Sequence, residues 1–398
     1  MRPPHRHVLL LVATVAYTAL TFIWFSFPAY LGPIIEEVGL SSTQAGIIVG
    51  AVPLTYIPFA MPSGVTIDRI GAASAIGLGA LCFGIGQIGR SFASTFPSLL
   101  AWTILIGIGA TTITFGLPKL VAQLYSAGES GFPTSVYLIG AATGSAAAFA
   151  IGRPIIGPAI GGWRPLFLGS GVVAVSYALL WLTIASKADL DVATRRSTTF
   201  DIDSISGDLA VVLRHRELRL IVVIGTMYLT VTHGIQGWLP TMLEFAGRTA
   251  ALAGQLTSLY VVAAATGTLF VPMLADRYNA RRFALICCGS ACATGIGLLL
   301  LADATVFLAG VIFLAGLGTG GISPLIRAIP PEFEELGPRL TGTAIAFVFM
   351  IGEIGGAFGP IVIGMVHQRT GSFAFGFGML ATAGIIVVLA ALALETVE

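Results

Sequence analysis

Charge is what this chain has least of. Only 10% of its 398 residues are Asp, Glu, Lys or Arg, and lysine occurs just twice, at Lys119 and Lys187. A soluble domain carries roughly a quarter charged residues, so this chain lacks the polar surface to cover itself in water. The net charge is +1, which removes any bulk electrostatic case for nucleic acid. Cysteine is scarce as well. Cys82, Cys287, Cys288 and Cys292 lie inside apolar runs with no His or acid beside them. They read as small buried hydrophobes, not as a metal site or a disulfide framework. The alternating ten-residue segments of a closed membrane barrel are missing. So are a phosphate-cradling glycine loop and a nucleophile–base pair, so neither a cofactor nor an enzymatic reaction is expected.

What is abundant is apolar length. Hydrophobic residues make up 56% of the chain, and crossing ~30 Å of hydrocarbon takes roughly 20 of them in a row. Twelve such spans can be drawn, at 8–30, 43–63, 72–92, 98–125, 133–160, 164–186, 219–243, 251–274, 282–301, 305–330, 340–366 and 372–394. The start, MRPPHRHVLLLVATVAYTAL, resembles a signal peptide. Its apolar run outlasts a short h-region and no small-residue cleavage site follows, so it reads as the first span. One polar stretch divides the spans six and six. The expectation is an all-α membrane protein with an N-terminal bundle at 1–186, a cytoplasmic linker at 187–218 and a C-terminal bundle at 219–398. Within the linker, the amphipathic run ISGDLAVVLRHRELRL is expected to lie along the membrane surface.

Basic residues set the orientation. With the N-terminus inside, thirteen Lys or Arg fall in cytoplasmic segments. Four fall in outer loops: Arg90, Arg164, Arg248 and Arg369. Both termini are therefore expected on the cytoplasmic side of a multi-pass protein, and the compact loops point to a prokaryotic inner membrane. The remaining three bases, Lys119, Arg153 and Arg327, fall within spans.

The two halves repeat. GVTIDRIG follows the second span and PMLADRYNARR follows the eighth. Asp68-Arg69 maps onto Asp276-Arg277, and the same shift maps Lys119 onto Arg327. Later, Gly157-Pro158 maps onto Gly359-Pro360. Two like-oriented six-helix halves are the mark of a duplicated transporter.

On these residues the chain resembles the major facilitator superfamily. GVTIDRIG resembles that superfamily's signature in the loop between helices 2 and 3. GPAIGG, from Gly157 to Gly162 with Gly144 ahead of it, resembles its antiporter-type helix 5 motif. Arg153 stands where that motif carries a second glycine. PKLVAQLY, GGWRPLF and GWLP are similar to segments of the cyanate porter and nitrate/nitrite porter branches. The resemblance implies the major facilitator fold, twelve transmembrane helices in two pseudo-symmetric six-helix bundles. It implies gating roles for Asp68, Arg69, Asp276 and Arg277, and helix packing through Gly144, Gly157, Pro158, Gly161, Gly162, Gly359 and Pro360. It also implies that helices 1, 4, 7 and 10, with parts of 2, 5, 8 and 11, line a central path. There are two departures. The superfamily's helix 4 motif has an arginine where this chain has Thr103, and the helix 2 and helix 8 arginines of nitrate porters have no counterpart here.

Ionisable groups inside a membrane are costly, and they usually face a partner or a water-filled cavity. Arg153, His233 and Glu353 lie near mid-span on path-lining helices. Arg153 has two readings. It anchors an anionic solute through its planar donor fork, or it pairs with Glu353 or with carbonyls freed near Pro154 and Pro158. Glu353 and His233 suit proton coupling or substrate contact; an ion pair is a third role open to Glu353. Lys119 and Arg327 either snorkel to the interface or form a positive ring on the path. Tyr17, Tyr228, Gln236 and Trp238 complete the candidate substrate contacts.

With three such bases against one acid, the expected function is secondary transport of a small anionic solute by rocker-switch alternating access. The mode is proton symport or anion exchange. Protons and lipid are the other expected partners, and the chain is expected to act as a monomer. Two rivals stand beside it: an exporter of small apolar, nitroaromatic or drug-like compounds, and a non-transporting polytopic receptor or scaffold.

Overall fold

The computed structural model describes residues 3–187, 214–332 and 337–394. Residues 205–213 of the expected amphipathic run lie outside the described residues, and its last five, 216–220, form the start of the seventh spanning helix. Among the described residues, twelve helices are long and apolar enough to cross a membrane. They are α1 Pro3–Ala29, α2 Ser42–Ile70, α3 Ala72–Phe92, α4 Phe96–Leu124, α5 Gly131–Ile160 and α6 Trp163–Lys187 in the first half. The second half holds α7 Arg216–Phe245, α8 Ala250–Arg277, α9 Arg281–Leu299, α10 Thr305–Ala328, α11 Gly337–Thr370 and α12 Ala374–Ala393. Every apolar run is a helix because a single helix bonds all its own backbone groups, which hydrocarbon demands. The helices overrun several expected limits, most of all α2, which continues through the GVTIDRIG motif to Ile70. Asp68 is thus a helical residue.

The chain forms two compact units, and they do not follow chain order completely. Unit 1 is Met1–Leu40, Ala51–Phe200 and Gly247–Gly254, and unit 2 is Ser41–Gly50, Asp201–Ala246 and Gln255–Glu398. The expected bundle limits made no allowance for this exchange of two short segments. In unit 2, Gly46 and Gly50 at the start of α2 let the backbone of α11 approach. A Cβ on either would lie 2.5 or 2.4 Å from the carbonyls of Pro360 and Ala357.

The duplication shows in the packing. In unit 1, α3 packs on α4 and α6, and α1 packs on α5. In unit 2, α9 packs on α10 and α12, and α7 packs on α11. Lipid tails give apolar faces no incentive to hide from them, so helices associate through close packing of small residues. Gly79 and Gly109 show how close: each would put a Cβ within 2.7 Å of the other's carbonyl oxygen. The buried cysteines belong to the matching contact in unit 2. Thr319 of α10 donates to Cys292 Sγ at 3.5 Å, and all four cysteines are free thiols.

Two details place the functional residues. First, α5 is not an α-helix throughout. Residues Ala148–Ile156 wind as a π-helix before a last turn at Gly157–Ile160. Pro154 and Pro158 lack the N–H that an α-helix would use, and the wider winding re-pairs part of what they leave, with the Gly157 N–H donating to the Gly152 carbonyl. Second, the corner after α5 runs through Gly161 and Gly162 at φ values of 98° and 115°. Residues with a Cβ rarely tolerate that region.

Gly157 carries a specific demand. A Cβ there would lie 1.4 Å from the hydroxyl of Tyr30. Gly157→Ala is expected to destabilise the protein by about 1–3 kcal/mol, the usual penalty for overpacking. Thermal unfolding of the purified protein checks this. The loss should shrink when the same change is made in a Tyr30→Ala background; an unchanged midpoint in the single variant would contradict the close fit.

Candidate functional site

The most polar part of unit 1 is built around the break in α5. Tyr30 follows α1 and is 2% exposed. Its hydroxyl donates to the Gly152 carbonyl at 3.0 Å and reaches the Arg153 carbonyl at 3.4 Å. The Arg153 guanidinium lies over the Tyr30 ring, 4.9 Å from its centre, within cation–π range. Burial pushes the Tyr30 phenol above its ordinary value, and the nearby Arg153 charge pulls in the opposite direction. The phenol therefore stays a neutral donor. The carbonyls that the sequence offered to Arg153 are thus bonded by Tyr30. Arg153 itself is half-buried beside them.

Along α2 and α4 runs a seam of hydroxyls. Tyr56 pairs with Thr114 at 2.8 Å and Ser63 with Thr111 at 2.5 Å. Below them Lys119 donates to Asp68. Lys119 and Asp68 were separate candidates, one for substrate and one for gating, and the structure brings them together as an ion pair.

In unit 2 the counterparts are arranged differently. Asp276 takes Arg281 Nε at 2.8 Å, and Arg281 Nη1 donates to the Ala328 carbonyl at 3.1 Å. Arg327, the mate of Lys119, bonds the Ser323 hydroxyl and lies over the Phe349 ring at 3.9 Å. Arg69 and Arg277 are exposed, and Arg277 sits 5.8 Å from the Tyr278 ring centre.

Mid-span in unit 2, His233 Nε2 lies 3.6 Å from Glu353 Oε2, with side chains 10% and 13% exposed. Gly356 makes room for this pair, since a Cβ there would lie 2.7 Å from His233 Cδ2 and 2.8 Å from Glu353 Oε2. The carboxylate oxygen has no hydrogen-bond partner among the described residues. With one proton the pair is neutral, with two it is +1 and with none it is −1. Trp238 is fully buried and donates to the Pro360 carbonyl at 2.9 Å. It is a packing residue here, with no surface to offer a solute, because α7 and α11 cross closely around Pro360. Gln236 is also buried, at 8% exposure. Tyr228 and Tyr17 are half-buried, and Tyr17 lies 6.1 Å from the Tyr137 ring.

Three residues escaped the sequence reading. Arg90, expected in an outer loop, lies inside α3 at 1% exposure. Its Nε donates to Thr103 at 3.0 Å, and its guanidinium lies 5.0 Å from the Phe27 ring centre. Thr103 is the position where the superfamily motif has arginine, so α3 supplies a guanidinium to the same spot. Glu37 binds the GGWR corner: Trp163 Nε1 and Arg164 Nε donate to its two oxygens at 2.5 and 2.7 Å. Arg164 Nη1 also bonds the carbonyls of Ser91 and Ala93, which end α3. Tyr30 is the third. Its partners lie more than 120 residues away, so no local spacing announces it.

The chain matches the family model of the Major Facilitator Superfamily over residues 9–360 and belongs to that superfamily. It is a multi-pass membrane transporter of small solutes and not an enzyme. Over 403 aligned residues it is 26% identical to a Bacillus subtilis (strain 168) protein named Uncharacterized transporter YycB, covering 96% of this chain and 94% of that one. A nitrite extrusion protein of the same strain is 22% identical over 387 residues, covering 94% and 91%. Among solved structures, a bacterial homolog of the human lysosomal transporter Spinster aligns with a TM-score of 0.78 at 16% identity. That alignment covers 98% of this chain and 96% of that one. This last likeness is one of fold.

Glu37 gives the corner a pH signature. Its hydrogen bond from Arg164 is the largest influence; burial opposes it, and the bond from Trp163 and the Arg164 charge add to it, so the carboxyl is held below its usual value. A lowered native pKa contributes stability above the unfolded value, lost as pH falls through the native one. The difference in unfolding midpoint between wild type and Glu37→Gln should therefore be constant above about pH 5.5 and shrink below about pH 4.3. A difference that grows on acidification would contradict this tie.

Proposed function

We propose that this transporter moves a small anionic solute by alternating access of its two six-helix halves. Arg153 is the anchor and the His233–Glu353 pair the proton-coupling element. One observation carries the reading: α5 winds as a π-helix where Arg153 sits, and the guanidinium lies over the ring of Tyr30, whose hydroxyl bonds the Gly152 carbonyl and reaches that of Arg153. The planar fork of that guanidinium suits a carboxylate or an oxyanion. The nitrite extrusion relative is consistent with an anionic solute. Because Lys119 pairs with Asp68, the positive ring at the inner mouth gives way to a tie between α2 and α4. Gating rests with that tie and with the Asp276–Arg281 tie. Tyr17 and Tyr228 remain candidate contacts, and the excess of basic residues in alternate loops favours cytoplasmic termini.

Substrate counterflow in proteoliposomes tests transport, and equilibrium binding of an anion panel tests the anchor. Arg153→Ala should weaken binding about 10- to 100-fold, as expected for charge-assisted hydrogen bonds of ~1.5–3 kcal/mol. Arg153→Lys should recover only part. Unchanged binding of every anion in Arg153→Ala would remove the anchor.

Coupling is tested separately with an imposed pH gradient. Wild type should respond, and Glu353→Gln should exchange solute but ignore the gradient. If uptake ignores the gradient in wild type as well, the pair carries no transported proton and anion exchange is the mode.

A further inference from the structure

We infer that the solute is an aromatic carboxylate, recognised by linked aromatic rings of unit 1. The inference rests on the anion reading above and narrows its substrate class.

Tyr17 and Tyr56 lie at the middle of α1 and α2. Tyrosine and tryptophan in lipid-facing positions gather at the two interfaces, where the polar tip meets water. A tyrosine at mid-depth needs a different reason. Neither of these points fully outward: Tyr17 is half-buried and Tyr56 is 7% exposed. The phenylalanines at helix ends of unit 1 look different, with Phe92 and Phe132 each 71% exposed.

The mid-depth aromatics are joined. The Trp24 ring lies 6.1 Å from Tyr56, and Tyr56 lies 6.1 Å from Phe115 on α4. Trp24 stacks parallel on Phe25 at 5.4 Å, and Phe25 lies 5.9 Å from Phe149 in the π-helical part of α5. A continuous run of rings thus crosses α4, α2, α1 and α5 and ends four residues before Arg153; Phe115 and Trp24 offer its accessible faces, and Tyr56, Phe25 and Phe149 are the buried backing that holds them. Hydroxyls edge the run, since Tyr56 bonds Thr114 and the seam continues to Ser63 and Thr111. Apolar faces edged by a few placed polar groups, with one charge at the end, form the usual lining of a small-molecule site. Rings arranged this way favour a ligand ring by offset stacking or edge-to-face contact, beyond what burial alone supplies. A carboxylate on that ring is what Arg153 would hold.

The test compares benzoate with cyclohexanecarboxylate, which has nearly the same size and the same charge but no π-face. Benzamide supplies the ring without the charge. Binding is measured on the full-length protein in nanodiscs. Wild type should prefer benzoate over cyclohexanecarboxylate about tenfold, the sum of one or two ring contacts, and should bind benzamide much more weakly. Trp24→Leu and Tyr56→Leu should bring the preference close to one while leaving cyclohexanecarboxylate within about twofold of wild type. Trp24→Phe, which keeps a ring, should retain most of the preference and guards against a variant that fails to fold. Arg153→Ala should weaken both carboxylates equally.

Equal binding of the two carboxylates by wild type, still dependent on Arg153, would overturn the aromatic inference and leave the anion reading intact. Benzamide binding as well as benzoate, with Arg153→Ala without effect, would overturn the anion reading and with it the carboxylate. A preference that survives both leucine variants would overturn the assignment to these rings.

Discussion

A chain in hydrocarbon must satisfy its own backbone, and the layout of this transporter depends on that requirement. Twelve unbroken α-helices would meet it without further help. The protein departs from it in α5, where two prolines and a π-helical stretch leave carbonyls that the α-helical ladder does not claim. The departure is tolerated because Tyr30 arrives from the end of α1 and donates to the Gly152 and Arg153 carbonyls. Gly157 is a glycine because the tyrosine needs its space. The arginine, the π-helix, the tyrosine and the glycine form one arrangement, and π-helical stretches of this kind are frequent at functional sites.

The second organising feature is asymmetry within a symmetric frame. The helix pairings recur from unit 1 to unit 2, but the chemistry does not. Unit 1 carries the α5 arginine, the hydroxyl seam and the linked rings. Unit 2 carries the His233–Glu353 pair, set among glycines and threonines of α7 and α11. Duplication supplied two scaffolds, and the two have been furnished differently. One holds a fixed positive charge and linked rings, and the other holds groups that can take and release protons.

Much of this was legible in the sequence. Apolar length gave the twelve spans, and the repeated Asp-Arg pairs gave the duplication. The depth of Arg153, His233 and Glu353 singled them out as candidates, and the structure brings His233 and Glu353 together. What was illegible has a common cause. Tyr30, Glu37 and Arg90 all act through partners far along the chain or on another helix, and composition does not encode rotation about a helix axis. Arg90 was read as a loop residue because it stands close to the end of its span, where a charge ordinarily reaches water. Trp238 was read as a cavity residue because its helix lines the path, yet its face turns into the packing around Pro360. A helix can be assigned to a region by its pattern, but the role of one side chain depends on about 100° of turn per residue.

The ties at the ends of α2 and α8 show what duplication preserves. In unit 1 the acid of the Asp-Arg motif is joined to α4 directly by Lys119. In unit 2 the same acid reaches α10 through Arg281, which holds Asp276 with one nitrogen and the Ala328 carbonyl with another. The residue that corresponds to Lys119, Arg327, bonds the Ser323 hydroxyl and lies over the Phe349 ring. A comparison of the halves letter by letter would record only a mismatch of contacts at Arg327, while each half keeps a strut from its Asp-Arg motif to its fourth helix, built in each from different atoms.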